Sequence, residues 1–201
     1  MNAVLAVTLG YFVGSIPFAY LLTRHRGIDL RREGSGNVGA SNVLRTSGVR
    51  AAVLAMLLDG AKGTIAVMVA QVLSAGVVAT VVAACACVVG HVYPIWLRFR
   101  GGKGVATAAG AFAMLAPEAL GIAAGVFVLA VIVTRFISVG SIAGALTLTL
   151  VAAVTDVPGV VAIGATVSTF IIIYRHRANL ARLVAGTERR IGQRAVKETA
   201  V

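Results

Sequence analysis

Apolar runs recur along the whole chain, and almost every break between them is basic or turn-forming. The runs are Val4 to Leu22, Ala51 to Val72, Ser74 to about Leu97, Val105 to Thr134, Ile137 to Val154 and Gly159 to Tyr174. Such lengths approach the ~20 residues that a helix needs to cross a bilayer. Soluble domains are about 25% charged, whereas this chain is 12% charged and 59% hydrophobic, with a mean hydropathy of +0.94. The expected architecture is an all-α polytopic membrane protein, a single integral domain over residues 1–201 with no soluble domain. The first run lacks a basic leader and carries Ser15-Ile16-Pro17, so it reads as a retained helix rather than a cleaved signal peptide.

The net charge of +11 would suggest nucleic acid in a soluble protein. Here the basic residues sit at the ends of apolar runs, in clusters at 24–50, 98–103, 135 and 175–197, with Lys62 apart. That placement points to membrane orientation and anionic ligands, and no nucleic-acid partner is expected. The breaks near Leu73, Pro117 and Asp156 hold no Lys or Arg. The positive-inside rule puts every basic cluster in the cytoplasm. An even number of crossings must then separate consecutive clusters. About seven segments result, with the N-terminus outside and the C-terminus, residues 175–201, a cytoplasmic basic tail. The segment from Val105 to Pro117 is only ~18 Å long as a helix, so a half-helix or a locally thin bilayer is expected there, the alternative being one long tilted helix that would put Arg135 outside.

This topology gathers polar patches at one membrane face. The first is Gly34-Ser-Gly-Asn-Val-Gly-Ala-Ser-Asn-Val-Leu-Arg45, whose glycines permit close backbone approach to an oxyanion while Ser, Asn and Arg add donors. It contains a literal G-x-G-x-x-G, but a dinucleotide site needs a strand before it and a βαβ unit around it, and neither is legible. The second is Gly101-Gly102-Lys103-Gly104, preceded by His91, Tyr93 and Pro94. It lacks Walker A spacing and otherwise reads as a basic interfacial turn. Arg135, Ser138 and Ser141 form the third, at a helix start where anions or ordinary capping both fit. The fourth runs from His176 through Asn179 and Arg182 to Gly186-Thr187-Glu188. A basic amphipathic tail on anionic lipid would explain its arginines but not Asn179 or Glu188.

Asp59 and Lys62 lie three apart on one helix face and read as an intramembrane ion pair with a structural role. Cys85 and Cys87 sit two apart in an apolar helix and cannot pair. No nucleophile elbow and no metal-ligand spacing is present.

Together these motifs resemble the bacterial PlsY acyltransferases. The resemblance rests on Gly34–Arg45, on Gly90-His-Val-Tyr-Pro94 with Arg100-Gly-Gly-Lys-Gly-Val-Ala-Thr107, and on His176-Arg-Ala-Asn-Leu-Ala-Arg182 with Gly186-Thr-Glu188. Leu58-Asp59, Lys62-Gly63, Arg135, Ser138 and Ser141 also look like family features. Val38 and Ser41 stand where the family commonly has Pro and Thr, and Tyr93 and Arg100 where it often has Phe and Lys.

The resemblance implies transfer of a fatty acyl group from acyl phosphate to glycerol 3-phosphate, giving lysophosphatidic acid and inorganic phosphate. This is the first acylation of phospholipid synthesis, at the cytoplasmic face of the bacterial plasma (inner) membrane. No cofactor and no metal is expected, and the chain is expected to act as a monomer within the bilayer. Ser35, Gly36, Asn37, Gly39, Ser41 and Asn42 are expected to cradle the acyl-phosphate headgroup. Lys103, Ser141, His176 and Asn179, with Arg45, are expected to hold glycerol 3-phosphate. His91, Gly101, Gly102, Gly104, Ser138, Thr187, Glu188, Asp59 and Lys62 are expected to support them. The base is either His176 or the substrate's own phosphate. The rival reading is a transporter for a phosphorylated anion, but the patches gather at one face rather than at the midplane.

Overall fold

The structure, a computed structural model, describes residues 1–193. Residues 194–201, which include the end of the expected basic tail, lie outside the described residues. Among the described residues all regular structure is helical: α1 (Asn2–Ser15), α2 (Phe18–Arg24), α3 (Ala40–Ser47), α4 (Val49–Val72), α5 (Gly76–Val92), α6 (Val105–Leu115), α7 (Pro117–Thr134), α8 (Ile137–Val154), α9 (Gly159–Arg175) and α10 (Arg177–Val184). A single 3-10 turn, Ile95–Leu97, follows α5.

The expected apolar segments are all present, and they are unequal. Five stretches are long and apolar enough to cross a membrane: Asn2–Arg24, Val49–Val72, Gly76–Leu97, Pro117–Thr134 and Ile137–Val154. The sixth, α9, has 17 residues and meets α10 at a 53° bend. The seventh, α6, has only 11 residues, the short segment that the spacing predicts. Pro117 occupies the first turn of α7, where its missing N–H costs nothing, so it starts a helix instead of breaking one.

Helices approach closely where side chains vanish. Gly10 and Gly14 of α1 meet the backbone of Ala83 and Cys87 on α5, and Gly90 meets Tyr11 in return. Gly63 of α4 and Gly110 of α6 do the same at their crossing. A Cβ at any of these would overlap a carbonyl oxygen. Lipid gives helices no hydrophobic reason to associate, so close backbone packing and polar contacts must supply it. Thr64 donates to the Gly110 carbonyl across α4 and α6 at 2.9 Å, and Thr169 to the Ala145 carbonyl across α8 and α9 at 2.8 Å.

One expectation needs refinement. The stretch Gly34–Arg45 reads as a loop in sequence, but its second half is α3. Val43 is fully buried and joins Ala19, Leu30, Val38, Ala51, Ala55 and Leu97 in a small core that pins α3 onto α2 and α4. Ser41, Asn42 and Arg45 therefore project from a helix whose placement is set by apolar packing.

Candidate active site

The polar patches meet at one end of the bundle around a cavity of about 320 Å³. The first patch is held in shape by Asn42. Its Oδ1 accepts from the Ser35 N–H at 2.8 Å, and its Nδ2 donates to the Leu30 and Glu33 carbonyls at 3.1 and 3.0 Å. Gly34, at φ +66°, packs so tightly on this side chain that a Cβ would overlap Oδ1. Asn42 thus spends its hydrogen bonds on the loop and does not line the cavity, and neither does Gly36. Ser35, Asn37, Gly39, Ser41 and Arg45 do line it.

The second patch is a backbone strap. The Gly101 and Gly102 N–H groups donate to the Val92 and His91 carbonyls at 3.0 and 3.1 Å. The Gly102 α-carbon lies against His91 Nε2, where a Cβ would overlap the ring. Gly104, at φ +86°, then turns the chain into α6. Between them Lys103 extends its ammonium to Asn179 Oδ1 at 2.5 Å. Burial, opposed by Glu188 and reinforced by Arg182, Arg45 and Arg175, lowers the Lys103 pKa to about 8. Gly101 and Gly102 do not themselves reach the cavity, whereas Lys103 and Gly104 do.

The third and fourth patches share one carboxylate. Glu188 Oε1 accepts from Asn179 Nδ2 at 2.6 Å and from Ser138 Oγ at 3.0 Å, and Oε2 accepts from Arg182 Nε at 2.7 Å. Burial pushes this carboxyl up, but the Asn179, Arg182 and Ser138 hydrogen bonds outweigh it and hold it below its ordinary range. Asn179 therefore faces Lys103 with its oxygen and Glu188 with its nitrogen, so its amide orientation is fixed by both partners. Ser141 lines the cavity and donates to the Ile137 carbonyl at 2.9 Å. Arg135, exposed at the end of α7, lies outside the cavity and bonds the Ile191 carbonyl at 3.2 Å. Thr187 also lies outside, folded back on the Arg182 carbonyl.

His176 sits at the joint between α9 and α10. Its Nδ1 is 2.8 Å from the Ile172 carbonyl, which can only accept, so Nδ1 carries the proton and Nε2 the lone pair. Burial, then the Lys103 charge, lowers its pKa to about 4. At neutral pH it is an uncharged acceptor on the cavity wall.

A second polar cluster adjoins the cavity, reaching its wall through Asp59 and His91. Asp59 Oδ1 is 2.9 Å from Lys62 Nζ and 3.5 Å from His91 Nδ1, all three buried. Lys62 also donates to the Ile16 carbonyl at 3.0 Å, beside the Pro17 break in the first span. The ion pair read from the sequence is present, and His91 joins it through the nitrogen opposite the one that packs on Gly102.

One residue reads in the sequence only as a basic neighbour of His176 and Asn179, with no role of its own. Arg175 lines the cavity and donates through Nε and Nη2 to the Gly102 and Gly101 carbonyls, both at 3.2 Å. Its signal was one arginine of the basic run Arg175-His176-Arg177, indistinguishable from an interfacial anchor. Among the described residues no group of three or more His, Cys, Asp or Glu is placed to hold a metal.

The cavity wall carries Arg45, Lys103, Arg175, Arg177 and Arg182 against Asp59 and Glu188, and both acids already face cations within the protein. The remaining positive charge suits anions, and serine and backbone donors suit phosphate oxygens. Met56, Val105, Phe127 and Ile137 give the same cavity an apolar side. Fold and site together define an all-helical integral membrane protein with a cationic, donor-rich cavity at one end of its bundle.

The family model for glycerol-3-phosphate acyltransferase matches residues 4–186. A glycerol-3-phosphate acyltransferase from Ruegeria pomeroyi is 47% identical over 197 residues, covering 97% of this chain and 96% of that one. One from Thermoanaerobacter pseudethanolicus is 40% identical over 195 residues, covering 96% and 98%. Crystal structures of PlsY, an integral membrane glycerol 3-phosphate acyltransferase, match with TM-scores of 0.91 for the glycerol 3-phosphate form and 0.89 for the lysophosphatidic acid form. Their identities are 37% and 36%, and each match covers 96% of both chains. The chain belongs to the glycerol-3-phosphate acyltransferase family.

Proposed function

We propose that this protein transfers a fatty acyl group from acyl phosphate to the 1-hydroxyl of sn-glycerol 3-phosphate. The products are 1-acyl-glycerol 3-phosphate and inorganic phosphate, and the step is the first acylation of bacterial phospholipid synthesis. One observation carries this reading. A single cavity gathers two phosphate-suited sets, Ser35, Asn37, Gly39 and Ser41 together with Arg45, Lys103, Ser141 and Asn179, and neutral His176 lines it as well.

The hydroxyl oxygen attacks the acyl carbonyl carbon, the bond from that carbon to the phosphate oxygen breaks, and the phosphate departs. Acyl phosphate is a mixed anhydride with a good leaving group, so no protein nucleophile is required. Ser35, Asn37, Gly39 and Ser41 hold the acyl-phosphate headgroup, with the acyl chain toward the apolar side. Lys103 and Arg45 neutralise the acceptor's phosphate, assisted by Ser141 and Asn179. His176 Nε2 accepts the hydrogen bond of the attacking hydroxyl. With its pKa so low, its part is to orient the hydroxyl, and the proton ends on the departing phosphate. Holding both reactants together and placing fixed charge at the transition state supply the acceleration.

The charge distribution supports a cytoplasmic site in the plasma membrane, with the N-terminus outside, and the chain is taken to act as one domain and a monomer. Purified protein in lipid, given palmitoyl phosphate and glycerol 3-phosphate, is expected to release phosphate and lysophosphatidic acid in equal amounts, dependent on both substrates. Substrate uptake into liposomes without phosphate release would replace this reading with transport.

A further inference from the structure

We infer that Arg175 is a positioning residue that fixes Lys103 by clamping the two peptide carbonyls immediately before it. The Gly101–Gly102 strap has no side chains of its own, yet every backbone polar group in it is engaged. Its N–H groups reach back to Val92 and His91 at the end of α5. Its carbonyls reach forward to the Arg175 guanidinium at the end of α9. No other side chain bonds these carbonyls among the described residues. Arg175 itself is half-buried and lies over the Tyr93 ring, 5.6 Å from its centroid. The strap is thus gripped between two spans that are far apart in sequence.

The consequence is geometric. Lys103 leaves the strap one bond after the clamped Gly102 carbonyl, and His176 leaves α9 one residue after Arg175. The clamp therefore sets the register between the cation and the imidazole that line the same cavity. Fork geometry matters, because a planar guanidinium can address two adjacent carbonyls at once while an ammonium is a point donor. Charge matters separately. Arg175, Arg45 and Arg182 oppose protonation of Lys103, Glu188 favours it, and neutral His176 and Asn179 complete its surroundings.

The functional part of this inference rests on the acyltransferase reading, so its test has arms that do not. Arg175→Gln and Arg175→Lys are compared with the parent protein in lipid. Hydrogen exchange over residues 98–106 is expected to accelerate in both variants, since neither retains the fork. The pH midpoint for labelling of Lys103 by an amine-reactive reagent, read by mass spectrometry, is expected to rise in Arg175→Gln and to stay put in Arg175→Lys. In turnover, both are expected to lose up to about 10²-fold in kcat, the scale of a misplaced reacting group, with KM for acyl phosphate unchanged. Unaltered exchange in the two variants overturns the clamp. Full kcat in Arg175→Lys overturns the fork and leaves only the charge. A parent protein that shows the expected labelling and exchange but forms no lysophosphatidic acid removes the acyltransferase reading and leaves the clamp standing.

Discussion

Two polar clusters lie side by side in this molecule, and they use charge in opposite ways. The Asp59–Lys62–His91 cluster is closed. Its carboxylate faces both of its neighbours, and its ammonium has a carbonyl as well. The cavity cluster is open. Glu188 quiets Asn179, Ser138 and Arg182, but Arg45, Arg177, the outward face of Lys103 and the Ser35–Ser41 wall keep capacity to spare. Composition alone does not separate the two, since each is a handful of charges in an apolar chain. What separates them is whether each charge already has its counter-charge within the protein. A buried cluster that balances is architecture, and one that does not is a site.

The largest expected effect tests the closed half. Asp59→Ala leaves the Lys62 ammonium buried without its carboxylate, and breaking such a pair costs about 3–5 kcal/mol. Unfolding in detergent is expected to show that loss, with activity falling only because folded protein is lost. A stable but inactive Asp59→Ala would move the cluster into the chemistry and erase the contrast.

Lys103→Ala tests the open half. It is expected to fold normally and to lose about 10²–10³ in turnover, the range for removing one preorganised charge from a transition state. If it instead melted as Asp59→Ala does, the cavity would be architecture as well.

The pH response sharpens the same point. Lys103 has its pKa lowered to about 8, so its ammonium is present below that pH and lost above it. The kcat/KM value is therefore expected to fall above about pH 8. A bound phosphate raises the pKa, so the fall in kcat is expected to lie higher. His176, held at about 4, is expected to show no protonation shift in its ring signals between pH 8 and 5.

The smallest effect lies on the surface. Arg31 pairs with Asp29 at 2.8 Å, and the Asp29 carboxyl is held at about 2 by that partner. Exposed pairs of this kind contribute little. Arg31→Ala is expected to leave melting and turnover at parent values.

Much of this was legible in one dimension because lipid leaves few choices. Long apolar runs must be helices, and a run too short to cross, Val105–Leu115, announces itself by length. Basic clusters at alternate ends foretold that residues 34–45, 101–104, 135–141 and 176–188 would meet, and they do except for Arg135, which bonds the Ile191 carbonyl outside the cavity. Local spacing did not show which side chains are spent on the protein itself. Asn42 looked like a phosphate ligand because it stands among serines and glycines, and only the path of the loop shows its three hydrogen bonds already made. Arg175 looked like an anchor, because its carbonyl partners lie 73 and 74 positions away. Such roles depend on where two spans dock, and no local pattern encodes that.

The shortness of α6 bears on who travels. Helices α6 and α7 share the turn at Pro117 and run back from it, but α7 has 18 residues and α6 has 11. At 1.5 Å per residue, the start of α6 stops ~10 Å short of the level that the end of α7 reaches. Lys103 therefore stands at the bottom of a recess rather than on the rim. On the proposed reaction, the greasy partner stays at its own depth in the leaflet and slides in sideways. The small water-borne partner makes the descent, and the lengthened lipid is released where it already belongs.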